Sequence, residues 1–165
     1  MADDKGLPLH GARIALLCCA GAAILAGCAP PPPPPPPKPA IVVGTVQVDP
    51  SVNPDANGRP SPVVVRFYEL KAIAVFRSSD FFSVFDREQQ TLGTEMVARE
   101  EFRLEPGDKR TFKRTLQGDT KFLGVVAAYR DLDHSQWRAM INVIPEATQP
   151  AVIRVEANKI SIRSN

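Results

Sequence analysis

Val63-Val64-Val65-Arg66-Phe67-Tyr68-Glu69-Leu70 is the stretch that fixes what kind of fold this chain adopts. Val63, Val65 and Phe67 recur every second residue, the period at which a β-strand returns side chains to one face. β-Branched and aromatic side chains also suit a pleated, half-buried surface. The octad therefore predicts a strand, and the same alternation continues on both sides of it. Upstream, Ile41–Val48 sets Ile41 and Val43 on one face and Val42, Val46 and Val48 on the other; Gly44 is expected to mark a bulge. Downstream, Phe102 and Leu104 alternate with Glu101, Arg103 and Glu105 up to a Pro106-Gly107-Asp108 turn. Residues 110–116 alternate weakly around Phe112, as an exposed or edge strand does. Residues 122–129 are an almost unbroken apolar run, expected of a central strand covered on both faces. Trp137, Ala139, Ile141 and Val143 alternate with Arg138, Met140 and Asn142, and residues 145–150 read as a loop. Ile153 and Val155 share one parity and Ile160 and Ile162 the other, so Asn158 marks a turn or bulge between two terminal strands. Seven or eight short strands at this spacing predict an all-β fold, a β-sandwich over residues 40–165.

Two segments interrupt the alternation. Residues 49–61 are dense in turn formers and nearly free of apolar side chains, so they are expected to stay out of the core; Asn57-Gly58 is a strong turn signal. Residues 71–96 predict a small helical insert. Ser78-Ser79-Asp80 offers an N-cap to a helix at 81–85, Asp86 with Gln89 resembles a second cap, and Gly93 is a natural stop. Phe76, Phe81, Phe82 and Phe85 are expected to pack that insert onto a sheet.

The N-terminal part has a different composition. Residues 14–24 are apolar and flanked by Arg13, but the run to Gly27 is shorter than the roughly 20 residues a membrane helix needs. Small residues at the end of such a run mark signal-peptide cleavage. Leu25-Ala26-Gly27-Cys28 resembles a lipobox, which predicts a signal peptide at 1–27 and acylation of Cys28. Eight prolines, 30–37, follow at once and cannot continue a helix. Residues 28–39 are read as a lipidated cysteine and a polyproline tether of about 30 Å, at about 3.1 Å per residue.

Composition excludes several functions. Lys and Arg number 20 against 18 Asp and Glu, giving a formal net charge of +2. This balance makes no electrostatic case for nucleic acid. The three cysteines are Cys18, Cys19 and Cys28, so loss of the signal leaves one thiol and no intramolecular disulfide. His134 is the sole histidine outside the signal, against a zinc or iron site of several His and Cys ligands. No Gly-rich phosphate loop, GxSxG elbow or HExxH occurs. Asp131, Asp133, His134 and Ser135 have catalytic residue types but sit in one short loop, whereas a triad is assembled from separate elements. The reading is a non-enzyme without cofactor.

Asn53-Pro54-Asp55-Ala56-Asn57-Gly58-Arg59-Pro60-Ser61-Pro62, running into the strand octad, is similar to the signature of the TssJ (SciN) family of type VI secretion outer-membrane lipoproteins. Asp80-Phe81-Phe82, Leu92-Gly93, Glu100-Glu101 and Leu104-Glu105-Pro106-Gly107 continue the likeness. The resemblance implies a transthyretin-like sandwich with an added helical element, held on the periplasmic face of the outer membrane by the acylated cysteine. Ala29 after Cys28, in place of an aspartate, favours the same destination. It implies as partner the periplasmic C-terminal domain of TssM, and TssL indirectly through TssM. The implied contact set in loop 49–61 is Asn53, Pro54, Asp55, Asn57, Gly58 and Arg59. A periplasmic carrier of a small apolar ligand or peptide is the alternative, and it requires an internal cavity or an open sheet edge away from that loop.

Overall fold

The computed structural model describes residues 38–164. Cys28, the signal segment and the proline run lie outside the described residues. The alternating segments become eight strands: β1 (Ile41–Val48), β2 (Val63–Leu70), β3 (Met96–Leu104), β4 (Lys109–Thr115), β5 (Phe122–Ala128), β6 (Arg138–Asn142), β7 (Thr148–Val155) and β8 (Ile160–Ser164). They form two four-stranded sheets, ordered β4-β1-β7-β8 and β3-β2-β5-β6. The β1–β7 pair is parallel and the other named pairs are antiparallel. This is the transthyretin-like sandwich.

Alternation decides which side chains meet between the sheets. Val42, Val46, Val48, Ile153 and Val155 from one sheet pack against Val63, Val65, Phe67, Leu123 and Val125 from the other. Each such side chain contributes about 1.5–3 kcal/mol on burial. Phe67 also holds the β3–β4 side, with its ring centroid 5.3 Å from Phe102 and 5.8 Å from Phe112.

β2 and β5 use their other face as well. Tyr68, Leu70 and Val126 join Phe76, Phe81, Val84 and Leu92 in a second core beneath three short helices, α1 (Ala74–Ser78), α2 (Phe81–Phe85) and α3 (Glu88–Leu92). The near-continuous apolar character of residues 122–129 follows from this double coverage. Gly124 is needed on that face, because a Cβ there would lie 2.8 Å from the Phe76 ring. Asp80 caps α2 by accepting from the Ser83 amide at 3.0 Å, as its sequence position predicts. Gly93 ends α3 with φ +50.

The octad Val63–Leu70 is dense in assigned tasks. Its odd positions build the inter-sheet core as far as Glu69, a buried carboxylate that accepts from Arg114 Nε at 2.8 Å and from the Gln117 amide and Thr120 hydroxyl at 3.0 Å each. Its even positions grip the insert. Arg66 donates to Glu101 at 2.6 Å and to the Phe85 carbonyl, and its guanidinium lies 3.6 Å from the Phe85 ring centroid. Tyr68 Oη lies 3.1 Å from both the Val84 carbonyl and Glu88, two acceptors that share its single proton.

Five expectations need correction. Phe82 does not pack the insert onto the sheet: it is 57% exposed, while Phe76, Phe81 and Phe85 face the second core. Gly44 does not mark a bulge: β1 keeps unbroken register with both neighbours, and the glycine is required because a Cβ would lie 1.7 Å from the Ala151 carbonyl oxygen. Residues 148–150 are strand; Pro150 pairs with Val43 beyond the end of the β8 ladder, where its missing N–H leaves no gap. Asp86 caps no helix start; it terminates α2, and α3 begins after Arg87 without a side-chain cap. Loop 49–61 is not free of the core, since Val52 is fully buried with the inter-sheet residues.

Candidate partner-binding site

Loop 49–61 leaves the C-terminal end of β1 and is built in two tiers. The lower tier ties it to the sandwich. Asp49 Oδ1 accepts from the Ser51 amide and hydroxyl at 2.7 and 2.6 Å, and those bonds hold its carboxyl below the ordinary range. This tight turn drops Val52 into the core. Asn53 follows with φ +50, a left-handed conformation that asparagine tolerates better than most residues. It is only 4% exposed. Its amide donates to the Ala157 carbonyl at 2.9 Å and its Nδ2 to the Pro62 carbonyl at 2.8 Å, while its Oδ1 accepts from the Arg130 amide at 2.8 Å. One residue thus joins three connections, the side chain linking β1–β2 to β5–β6 and the backbone amide adding β7–β8.

The upper tier is a closed turn organised by Asp55. Its amide donates to the Arg59 carbonyl and its carbonyl accepts from the Gly58 amide, both at 2.9 Å. Oδ1 accepts from the amides of Asn57 and Arg59 at 2.9 Å each, and Oδ2 from Arg59 Nε at 2.8 Å. The amide and guanidinium of Arg59 hold the Asp55 carboxyl below its ordinary value. Gly58, at φ +76, turns the chain where a side chain would be strained. The Arg59 side chain is 76% exposed, so its remaining N–H groups face solvent on a fixed base.

The sequence-derived residues therefore divide. Pro54, Asp55, Asn57, Gly58 and Arg59 come together on or just under the surface, while Asn53 lies below as their clamp. An open cleft of about 550 Å³ runs along the loop, lined also by Tyr129, Arg130, Asp131, Ala157 and Asn158. Asp131 and Asn158 were legible only as turn residues and Tyr129, Arg130 and Ala157 gave no local signal, because all five reach the site through the pairing of distant strands. Tyr129 Oη donates to the Glu156 carbonyl at 3.2 Å, and burial pushes its phenol upward. Asp131 binds His134 Nδ1 at 2.9 Å; each raises the other's charged population, so the imidazole is pushed up and the carboxyl down. Ser135 Oγ donates to the Leu132 carbonyl at 3.1 Å, so this loop is self-capped turn structure. Among the described residues no group of three His, Cys, Asp or Glu is arranged to hold a metal ion, and no helix is long and apolar enough to cross a membrane. Donors and acceptors on a preformed turn suit recognition of another surface.

Comparison with known proteins bears on which surface. The family described as Type VI secretion lipoprotein, VasD, EvfM, TssJ matches residues 41–158. The T6SS lipoprotein TssJ1 from Pseudomonas aeruginosa is similar at 40% identity and a TM-score of 0.74, over 79% of this chain and 98% of that one. Serratia marcescens Lip, a membrane bound component of the type VI secretion system, is similar at 25% identity and a TM-score of 0.68, over 77% and 96%. A chain in a structure described as the T6SS protein TssM C-terminal domain (869-1107) from EAEC is similar at 26% identity and a TM-score of 0.63, over 75% and 98%. No curated protein matches.

Proposed function

Since this chain belongs to the TssJ family of type VI secretion lipoproteins, we propose that it anchors the periplasmic C-terminal domain of a TssM-like protein to the outer membrane. TssL would join the assembly indirectly, through TssM. Cys28 is the proposed lipid-bearing residue and the periplasmic face of the outer membrane the proposed site. One acyl chain holds a protein only marginally, at about 0.8 kcal/mol per buried CH₂, so a firm anchor calls for several chains on that cysteine.

The observation that carries this reading is the position of the loop relative to the chain's entry. Ala40 precedes β1 and residues 49–61 follow it, so the tether side and the loop side lie at opposite ends of one strand. Eight residues of strand separate them by about 26 Å, at about 3.3 Å per residue. A lipid at one end and a protein partner at the other is the arrangement an anchor requires. The likeness to a chain accompanying a TssM domain supports the choice of partner. Three quarters of this chain cover 98% of that chain, which is therefore about as long as this sandwich and much shorter than the span 869–1107. Pro54, Asp55, Asn57, Gly58 and Arg59 form the proposed contact, with Arg59 reaching the partner and Asn53 holding the loop in shape.

Titration of residues 38–165 with the TssM-like C-terminal domain tests the reading. Saturable binding is expected, and it should vanish when residues 54–60 are replaced by a Gly/Ser linker that leaves Asn53 and the fold intact. Binding that survives the replacement moves the site elsewhere; no binding by the intact domain removes the partner. Separately, Cys28→Ser should abolish incorporation of a palmitate analogue and release the protein from the outer-membrane fraction. A variant still membrane-bound would refute the anchor.

A further inference from the structure

The two sheets differ in what lies outside them. Helices cover the outer face of β3-β2-β5-β6, whereas no described element packs on the outer face of β4-β1-β7-β8. Burial alternates strictly along β7, with Gln149, Ala151, Ile153 and Val155 inward, so Thr148, Pro150, Val152 and Arg154 face out. Register then fixes the rest of that face. Lys113, Val43 and Pro150 form one row; Thr111, Thr45, Val152 and Arg163 the next; Lys109, Gln47, Arg154 and Ser161 the third. The centre is half-buried around Val43, Thr45 and Val152; the edge strands carry Lys109, Lys113 and Arg163, and Arg154 stands on the inner strand β7 in the third row. No Asp or Glu occurs in any of these rows. Among the described residues Lys109, Lys113, Arg154 and Arg163 form no ion pair, in contrast to Arg59, Arg66, Arg99 and Arg114. Acidic residues gather at the loop end, where Asp49, Asp55, Asp108 and Asp131 lie, and of the four cations Arg154 borders it, sharing a cleft with Asp49 and Glu156.

We propose that this uncovered face is a docking surface for anionic phospholipid headgroups. Four strands at about 4.8 Å spacing give a platform some 14 Å across, with basic side chains at both margins and along its length. Long Lys and Arg side chains lay their stems on apolar surface and extend their charge to its rim, the disposition a headgroup layer meets. A protein of a membrane lipoprotein family is held at high local concentration beside such a surface, so weak attractions suffice to set its orientation. Basic residues near an anionic leaflet attract it within a Debye length. With the sandwich lying on this face, β1 runs along the membrane and the loop end stays open at the side.

Residues 38–165 hold both cores and all eight described strands, and a related crystal chain covered to 98% by this fold is folded as that unit, so this portion is a suitable probe. Co-sedimentation with vesicles of phosphatidylcholine alone and of phosphatidylcholine with 25% phosphatidylglycerol reads the interaction. Partition onto the anionic vesicles alone is expected, weakening with added salt. A variant with Lys109, Lys113, Arg154 and Arg163 each changed to Glu should lose about tenfold or more. A variant with Arg77, Arg87, Lys121 and Lys159 changed to Glu carries the same net charge and should keep most of the partition. Equal loss in both variants would reduce the effect to net charge and overturn the proposal, as would binding unaffected by the first. Absence of vesicle binding overturns it too, and binding to polyglutamate in that case would give the face to an acidic protein. A circular dichroism spectrum like that of the parent confirms that each variant is folded.

Discussion

Asn53 puts more of the candidate site at risk than its size suggests. Its side chain carries both hydrogen-bonding ends in a buried position, so truncation orphans the Pro62 carbonyl and the Arg130 amide together. Unsatisfied buried groups cost about 1–3 kcal/mol each, and a residue other than asparagine or glycine also bears the strain of φ +50. Asn53→Ala should therefore lower the urea midpoint by an amount corresponding to at least 1 kcal/mol, with the m-value unchanged. Partner affinity should fall at the same time, because the clamp holds the upper tier. Arg59→Ala makes the contrasting case. It removes an exposed guanidinium paired only with Asp55, so stability should change by less than about 1 kcal/mol while affinity for the TssM-like domain drops. If affinity were unchanged, Arg59 would leave the proposed contact set. Denaturant melts run beside titrations separate the two kinds of residue. The family resemblance grouped Asn53 with Arg59 because both fall in the one matching loop motif. Burial divides them, and burial of Asn53 depends on Arg130, which is 77 positions away.

At the scale of elements, the octad Val63–Leu70 was legible as a strand but not as the seat of two cores. Alternation at Val63, Val65 and Phe67 announces one buried face, which Glu69 interrupts, and Arg66 argues against burial of the other. Both charges are consistent with burial because they are paired, Glu69 at the end of the inter-sheet core and Arg66 under the insert. The helices were legible at Asp80 and Gly93, where a cap or a left-handed residue writes local physics into the sequence. Asp86 and Gln89 misled because a capping pattern needs a helix that starts there, and α2 has only just ended. Since helices of five residues have no stability of their own, the insert depends on its docking contacts. Arg66→Ala removes the guanidinium shared by Glu88, Glu101 and the Phe85 carbonyl, and should cost about 1–3 kcal/mol. Trp137 is the chain's single tryptophan and lies edge-on to Phe81 at 5.3 Å. A loosened insert should therefore shift its emission to the red before global unfolding. Emission that stays unchanged up to the global transition would mean that the insert is held by its phenylalanines alone.

Across the whole molecule, the two cores report through two tyrosines, one in each. Tyr68 lies in the core beneath the helices and Tyr129 in the inter-sheet core, and the chain has no others. Burial pushes the Tyr68 phenol up to about 12 and Tyr129 upward as well. The folded protein therefore holds protons that the unfolded chain releases near the ordinary phenol value of about 10. This contribution to stability is complete below that value and is lost as pH rises toward the folded-state values. Tyrosinate absorbance should stay near zero through pH 10.5 and then appear together with loss of the β-sheet circular dichroism signal; separate titration of either phenol would show that its core is open. The same two-sheet architecture sets how load would cross the anchor. If the lipid pulls on the residues before Ala40 and the partner pulls on residues 54–59, tension runs along β1 and the start of the loop alone. β1 is already extended, and the 18 residues from 40 to 57 span at most about 65 Å when fully stretched. Unfolding of the remaining strands then adds little length along the pulling direction, so force does little work to drive it. All three cysteines lie at or before Cys28, so Ala40→Cys supplies a unique handle in residues 38–165. Pulled between that handle and a bound TssM-like domain, the complex should rupture without a preceding domain-sized extension. A release of hundreds of ångströms before rupture would mean that load crosses the sheets, and that the partner grips the sandwich somewhere other than the loop after β1.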